Sequence, residues 1–335
     1  MKRLRLIYEQ LEEAKRYLLR GSLFNLRLAL ILTDNVAELL MFNALQRTFS
    51  RDEWLRPLRK NAEQVGLTLD STLQVKYTDE ERKRAQQEFE PMVRLLQHRL
   101  CKLAATDATV LRICHRLRRD AFHKGQLPED ILEPVVQLLF HTVVLLTESL
   151  GVADVVQTYP LDDEDKAFLH RYGLENMFAN SDDARRKCSG RLRNGLDFDI
   201  EALRRALRDD LVVRVQGLVN ALNCFYENDD GKNIHLQRYQ FWKEKAAQDK
   251  KLQGAEFEKA FTAWKATATP FVTLEWLSRF QSSVERKLNS QHASQVLASY
   301  WGLNEEFVSK EEFINEHISA VDEAIQFQID LAKGK

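Results

Sequence analysis

Residues 22–48 read SLFNLRLALILTDNVAELLMFNALQRT. The stretch is apolar on nearly every side of a helix, which predicts a central helix surrounded by others. Gly21 separates it from a charged helix over 2–20. Between Trp54 and Thr78 the pattern weakens: Pro57, Gly66 and a short alternating piece, LQVKY, leave loop, short helix and small hairpin open. Thr78-Asp79-Glu80-Glu81 then opens a helix running to about Ala105, with acids in the turn where the helix dipole favours them. Pro91 either kinks that helix or splits it.

Thr106 or Asp107 is placed to cap the next helix. Val110, Leu111, Cys114, Leu117 and Ala121 give it an apolar face, and Gly125 reads as its stop. Residues 129–150 form another apolar helix, ended by Gly151. Its longest uncharged run, Pro134–Thr147, is too short to span a bilayer and suits a buried core helix. The chain to this point reads as an up-and-down helical bundle. Pro160 and an acidic cluster place a domain boundary near 155–162. Helices are predicted beyond it at 200–227, 235–252, 255–267, 271–289 and 310–332. The fold class is therefore all-α: a bundle over 1–155 and a second helical domain over 160–335.

Composition supports this. Of 335 residues only 12 are glycine and 6 proline, too few for the turns of a large β-sandwich or a dinucleotide-binding sheet. The net charge of −1 excludes a simple polycation that coats nucleic acid. The four cysteines form no CxxC pair, which argues against a zinc ribbon or disulfide scaffold and for a reducing compartment. Glu9, Glu12 and Glu13 interrupt the N-terminal stretch where a signal peptide needs an apolar run. A cytoplasmic protein without membrane contact is expected. No P-loop, GxGxxG, HExxH or GxSxG motif is present, and His, Asp and Glu do not fall at metal-ligand spacing, so no metal or cofactor is expected. Asp162–Asp165 reads as a solvated turn and helix start.

One stretch carries chemistry. Between Arg94 and Lys124 there are eight Lys or Arg residues and two acids. Basic density peaks around His123 at a predicted helix end, where the dipole favours an imidazolium. Such a histidine can move a proton, and a fixed guanidinium can hold a phosphate and its transition-state charge. On one continuous helix Arg118 and His123 lie about 140° apart, whereas Arg116 and Arg119 lie within about 20–40° of His123. Asp34 and Glu38, at i and i+4 on the apolar helix, share a face. They either orient Arg118 or His123 or make an interhelical salt bridge. His115, one turn before Arg118, reads as a bystander. Phe241-Trp242 and Phe261/Trp264 could stack on bases but read more readily as core. The pairs Arg116–His123 and Arg286–His292 show that Arg-to-His spacing alone recurs by chance, so the context of a basic helix end sets Arg118–His123 apart.

The segment Arg118-Arg119-Asp120-Ala121-Phe122-His123-Lys124-Gly125 resembles the Arg-x4-6-His signature of the HEPN superfamily. These are all-helical proteins, many of them ribonucleases of toxin–antitoxin, CRISPR-linked and phage-defence systems. Arg118 and His123 fill the two main positions. Arg119 stands where the family commonly has Asn, Asp or His. The segment Thr33–Glu38 is similar to a polar insert some members carry, and the resemblance spans roughly residues 5–150. It implies a metal-independent endoribonuclease with a composite site formed by two protomers of a homodimer. His123 and Arg118 would be catalytic, Arg119, Asp34 and Glu38 supporting, and Arg112, Arg116 and Lys124 RNA-binding. The products would end in 2′,3′-cyclic phosphate, and an antitoxin or defence-complex subunit would restrain the enzyme. Two other expectations are a catalytically inactive HEPN-like scaffold or regulatory subunit and a non-catalytic RNA-binding module.

Overall fold

The structure is a computed structural model describing residues 2–68, 77–124, 129–150, 161–175, 182–228, 234–246 and 254–333. Every regular element among the described residues is helical, so the chain is all-α. Two compact units divide it, one of residues 1–203 and 292–298, the other of residues 204–291 and 299–335.

The first unit is built around the helix expected from residues 22–48. Helix α1 (Lys2–Arg20) buries Leu4, Ile7, Tyr8, Leu11, Ala14 and Leu18, the three- and four-residue spacing of one apolar face. Gly21 follows in the left-handed conformation (φ 67°), and Ser22 caps α2 by accepting from the Asn25 N–H at 3.4 Å. Helix α2 runs Leu23–Gln64, sixteen residues beyond Thr48. It passes through Pro57, which has no N–H for the Glu53 carbonyl. Burial of Leu55 just before that point and of Arg59 and Ala62 beyond it offsets the loss. The LQVKY segment falls mostly outside the described residues.

The long helix expected from Thr78 is divided. Thr78 and Glu81 form a reciprocal capping box at the start of α3 (Asp79–Gln87). Glu88 then turns extended (φ −123°, ψ 133°), and α4 (Phe89–Arg94) begins. The restart puts Pro91 in a first turn, where its missing N–H costs nothing and its ring avoids the Gln87 carbonyl. One π-helical turn, Leu95–Arg99, leads to Cys101 at φ 49°. Helix α5 (Ala105–Lys124) starts ahead of the expected caps: the Ala108 N–H bonds the Ala104 carbonyl at 3.0 Å. Its apolar face is as expected, with Val110, Leu111, Cys114 and Leu117 buried. Gly125 lies outside the described residues. Helix α6 (Glu129–Leu150) matches its predicted span. By length and composition α2 and α6 could each cross a membrane, yet 72% of the apolar window of α6 is buried against protein. Helix α2 contacts α1, α3, α4, α5 and α6, the central position its apolar surface requires.

The division between units does not fall at 155–162. Helices α7 (Asp163–Tyr172) and α8 (Asp182–Arg193) pack on α1, and α8 also packs on α6, so both belong to the first unit. Tyr8 meets Phe168 and Tyr172, with ring centroids 6.2 and 5.8 Å away. Asp162 caps α7, as the acidic run suggested, accepting from the Asp165 N–H at 2.6 Å. The run also surrounds the buried Arg5 guanidinium, which lies 2.7 Å from Glu164 and 3.4 Å from Asp162.

Helix α9 (Ile200–Asn228), which belongs to the second unit from Arg204 onward, buries Leu207, Leu211, Val215, Leu218 and Leu222. The unit also contains α10 (Ile234–Phe241), a π-helical turn over Trp242–Ala246, α11 (Gly254–Lys265) and α12 (Leu274–Lys287). Helix α13 (Ala293–Ala332) starts seventeen residues before the predicted 310. Tyr300 donates to Asp210 at 2.8 Å, and Arg214 bonds Glu311 at 2.6 Å and Asn304 at 2.7 Å. Phe241 and Phe261 are core residues, with Phe257 and Trp264 packed against them; Trp242 is half exposed.

Candidate functional site

Four side chains from two helices of the first unit converge. Asp34 and Glu38 lie one turn apart on α2; His115 and Arg118 lie three residues apart on α5. Arg118 Nη1 donates to Asp34 Oδ2 at 2.7 Å and to Glu38 Oε1 at 2.9 Å. His115 Nδ1 lies 3.0 Å from the same Asp34 oxygen and 3.3 Å from Glu38. Asp34 is wholly buried, whereas Glu38, His115 and Arg118 each retain about a third of their surface or less. The pairing follows from the sequence pattern: two acids on one face of α2 meet two bases on one face of α5. Apolar neighbours on both helices press the faces together.

The electrostatics are mutual. Burial alone would lower the His115 pKa, but hydrogen bonds and charges from Asp34 and Glu38 outweigh it and raise the value to about 9. His115 is therefore a cation at neutral pH. Glu38 is held below the usual carboxylate range by the His115 hydrogen bond, against burial, with Arg118 adding to the effect. Two carboxylates and two cations leave the quartet close to neutral. The His115 ring stacks on Phe89 of α4, with centroids 3.8 Å apart and planes inclined by 2°. Cys114 is wholly buried, and burial pushes its thiol up, so it fills space and is no nucleophile.

Asp34, Glu38 and His115 also bring three ligand-type atoms within 4.8 Å of one another. The sequence hid this grouping because its members are far apart in the chain. Arg118 Nη1 already bonds both carboxylates, so a divalent cation there would have to displace a guanidinium. The residues as arranged do not fit a metal.

The remaining expected residues lie along α5. Arg112 is paired with Glu90 at 2.9 Å and accepts no free role as a surface cation, since Gln97 Oε1 also receives its Nη1 at 3.1 Å. Arg116 and Arg119 are exposed, and Arg119 lies 3.9 Å from Asp120. Helix α5 is continuous to Lys124, which keeps positions 118 and 123 about 140° apart around its axis. The side chains of His123 and Lys124 lie outside the described residues. Thus Asp34, Glu38 and Arg118 come together, and His115, read from sequence as a bystander, completes the group. Its i, i+3 spacing to Arg118, matching the i, i+4 acids, was the available signal. Comparison with known proteins finds no matching family model, no matching curated protein and no matching solved structure.

Proposed function

We propose that this protein is a metal-independent endoribonuclease of HEPN type, working as a homodimer in a toxin–antitoxin or antiviral defence setting. The observation that carries the reading is the double anchoring of Arg118. A wholly buried Asp34 and a neighbouring Glu38 fix its guanidinium five residues before His123, on a helix that also exposes Arg116 and Arg119. A guanidinium held in advance loses little freedom when it meets a phosphate. His123 takes the proton of a ribose 2′-OH. The 2′-oxygen attacks phosphorus, the 5′-oxygen leaves and takes a proton from water, and His123 returns its proton to the hydroxide so formed. The products are a 2′,3′-cyclic phosphate and a 5′-hydroxyl end. Arg118 steadies the charge on the phosphoryl oxygens, and Arg116, Arg119 and Lys124 attract the strand. Because positions 118 and 123 diverge on one helix, the working pair comes from two protomers.

A second reading has its own support. With His115 protonated the quartet is neutral, which suits a structural clasp in a non-catalytic helical scaffold. Incubating the full chain with RNA in EDTA separates the two. Cleavage by wild type that is lost in His123→Ala supports the enzyme; no cleavage, or equal cleavage by both, counts against it.

A further inference from the structure

Beside the quartet lies a cavity of about 490 Å³, in the size range of small-molecule sites. Its walls mix carboxamides with apolar surface, to which Leu39 and Met92 contribute. Gln10, Asn35, Gln86 and Gln87 supply four carboxamides, and Phe42 and Phe89 supply aromatic surface. Glu38 and His115 form the border with the quartet and are already paired with each other. No lysine or arginine lines the cavity, and the charge of its His115 is matched by Glu38. One side chain of the wall is unsatisfied: Gln10 Oε1 has no hydrogen-bond partner and, being closed to solvent, meets a ligand only when the side chain turns into the cavity. A buried amide oxygen of this kind costs free energy until a donor reaches it.

Carboxamides set between aromatic rings complement a flat heterocycle that is polar at its edge and apolar on its faces. An amide pairs with a base edge through one acceptor and one donor, and aromatic side chains accept any base by stacking. Phe89 already holds one flat ring, His115, in face-to-face contact on this wall. We infer that the cavity is a nucleobase pocket, which seats one base of the RNA strand next to Arg118 and gives the site a base preference. The inference rests on the ribonuclease reading for its ligand class. Gln10 is its main reading group, with Gln87 at the exposed rim assisting.

The test uses the full chain and single-stranded 2′-O-methyl hexamers of A, C and U, which cannot be cleaved through the 2′-oxygen, plus an abasic hexamer. Binding is followed by fluorescence anisotropy. Wild type is expected to prefer one base over the others and over the abasic strand by about tenfold or more. Gln10→Leu, which keeps the bulk and removes the unsatisfied oxygen, is expected to fold normally and to lose that preference while abasic binding is unchanged. Gln87→Leu, at an exposed position that cannot disturb the core, is expected to weaken the preference. Equal binding of all four strands by wild type, or a preference untouched by both variants, overturns the pocket. Cleavage of ordinary RNA run in parallel keeps the two ideas apart. His123-dependent cleavage with no Gln10-dependent preference removes the pocket alone; Gln10-dependent preference without cleavage removes the nuclease alone.

Discussion

Arg118 reaches across 84 residues of sequence to the wholly buried Asp34, with Nη1 and Oδ2 2.7 Å apart. The bond ties α5 to α2, the central helix of the first unit. It also decides how each residue can be studied, because a buried carboxylate without its cation is unfavourable.

Arg118→Ala is expected to destabilise the first unit by about 3 kcal/mol, since Asp34 keeps only His115 as a cationic partner. The double variant Asp34→Ala/Arg118→Ala should cost less than the sum of the two single losses. A double-mutant cycle in urea reads this coupling, expected at about 2 kcal/mol. Strict additivity would show that the contact contributes nothing to folding.

The quartet makes stability depend on pH with opposite signs at its two ends. The His115 value rises from 6.5 to about 9 on folding, so its contribution is complete below the unfolded value and lost as pH rises through about 9. Its size is about 2 kcal/mol once partial exposure is allowed for. The lowered pKa of Glu38 works the other way: its contribution is present above the ordinary carboxylate value and disappears in acid. Wild type should lose thermal stability between pH 7 and 10, and His115→Asn should lose much less over that range. A direct check is the imidazole resonance of His115, which should titrate near 9 rather than 6.5.

Metal binding should appear only when the guanidinium is removed. Zinc or manganese is expected to leave the melting temperature of wild type unchanged. In Arg118→Ala, Asp34, Glu38 and His115 are free to close on a cation, and the same metals should restore several degrees. Equal stabilisation of both proteins would show that Arg118 does not guard the site.

A second buried cluster lies further along α2. Asp52 bonds both Arg59 and Arg82, all three are buried, and Arg82 also reaches Glu53 at 2.7 Å. Asp52→Ala removes the buried carboxylate that Arg59 and Arg82 share and is expected to cost about 3 kcal/mol by chemical denaturation. Glu53→Ala, which removes the more exposed partner, should cost under about 1 kcal/mol.

The helices were legible where one face repeats every three or four residues. Helices α1 and α6 keep their predicted ends because Gly21 and Leu150 stand where the apolar pattern stops. Local signals misled where packing overrode them. Pro57 reads as a breaker, yet α2 continues past it because Leu55, Arg59 and Ala62 find neighbours to bury against. Around Pro91 the proline signal was right: the helix is split in two. The break falls at Glu88, because a proline disturbs the turn before it. The boundary near 155–162 rested on composition, which says nothing about the return of Phe168 and Tyr172 to Tyr8.

The sequence by itself determined that this chain is helical, that residues 22–48 lie at the centre of their unit, and that acids at 34 and 38 and bases at 115 and 118 each share a helix face. Those properties depend on spacing within one helix, which the backbone period dictates. Only the tertiary structure decided that the two faces meet, that His115 belongs with Arg118, and that a carboxamide-lined cavity opens beside them. Such contacts join residues tens of positions apart, and they form only where the apolar surfaces of separate helices bury each other.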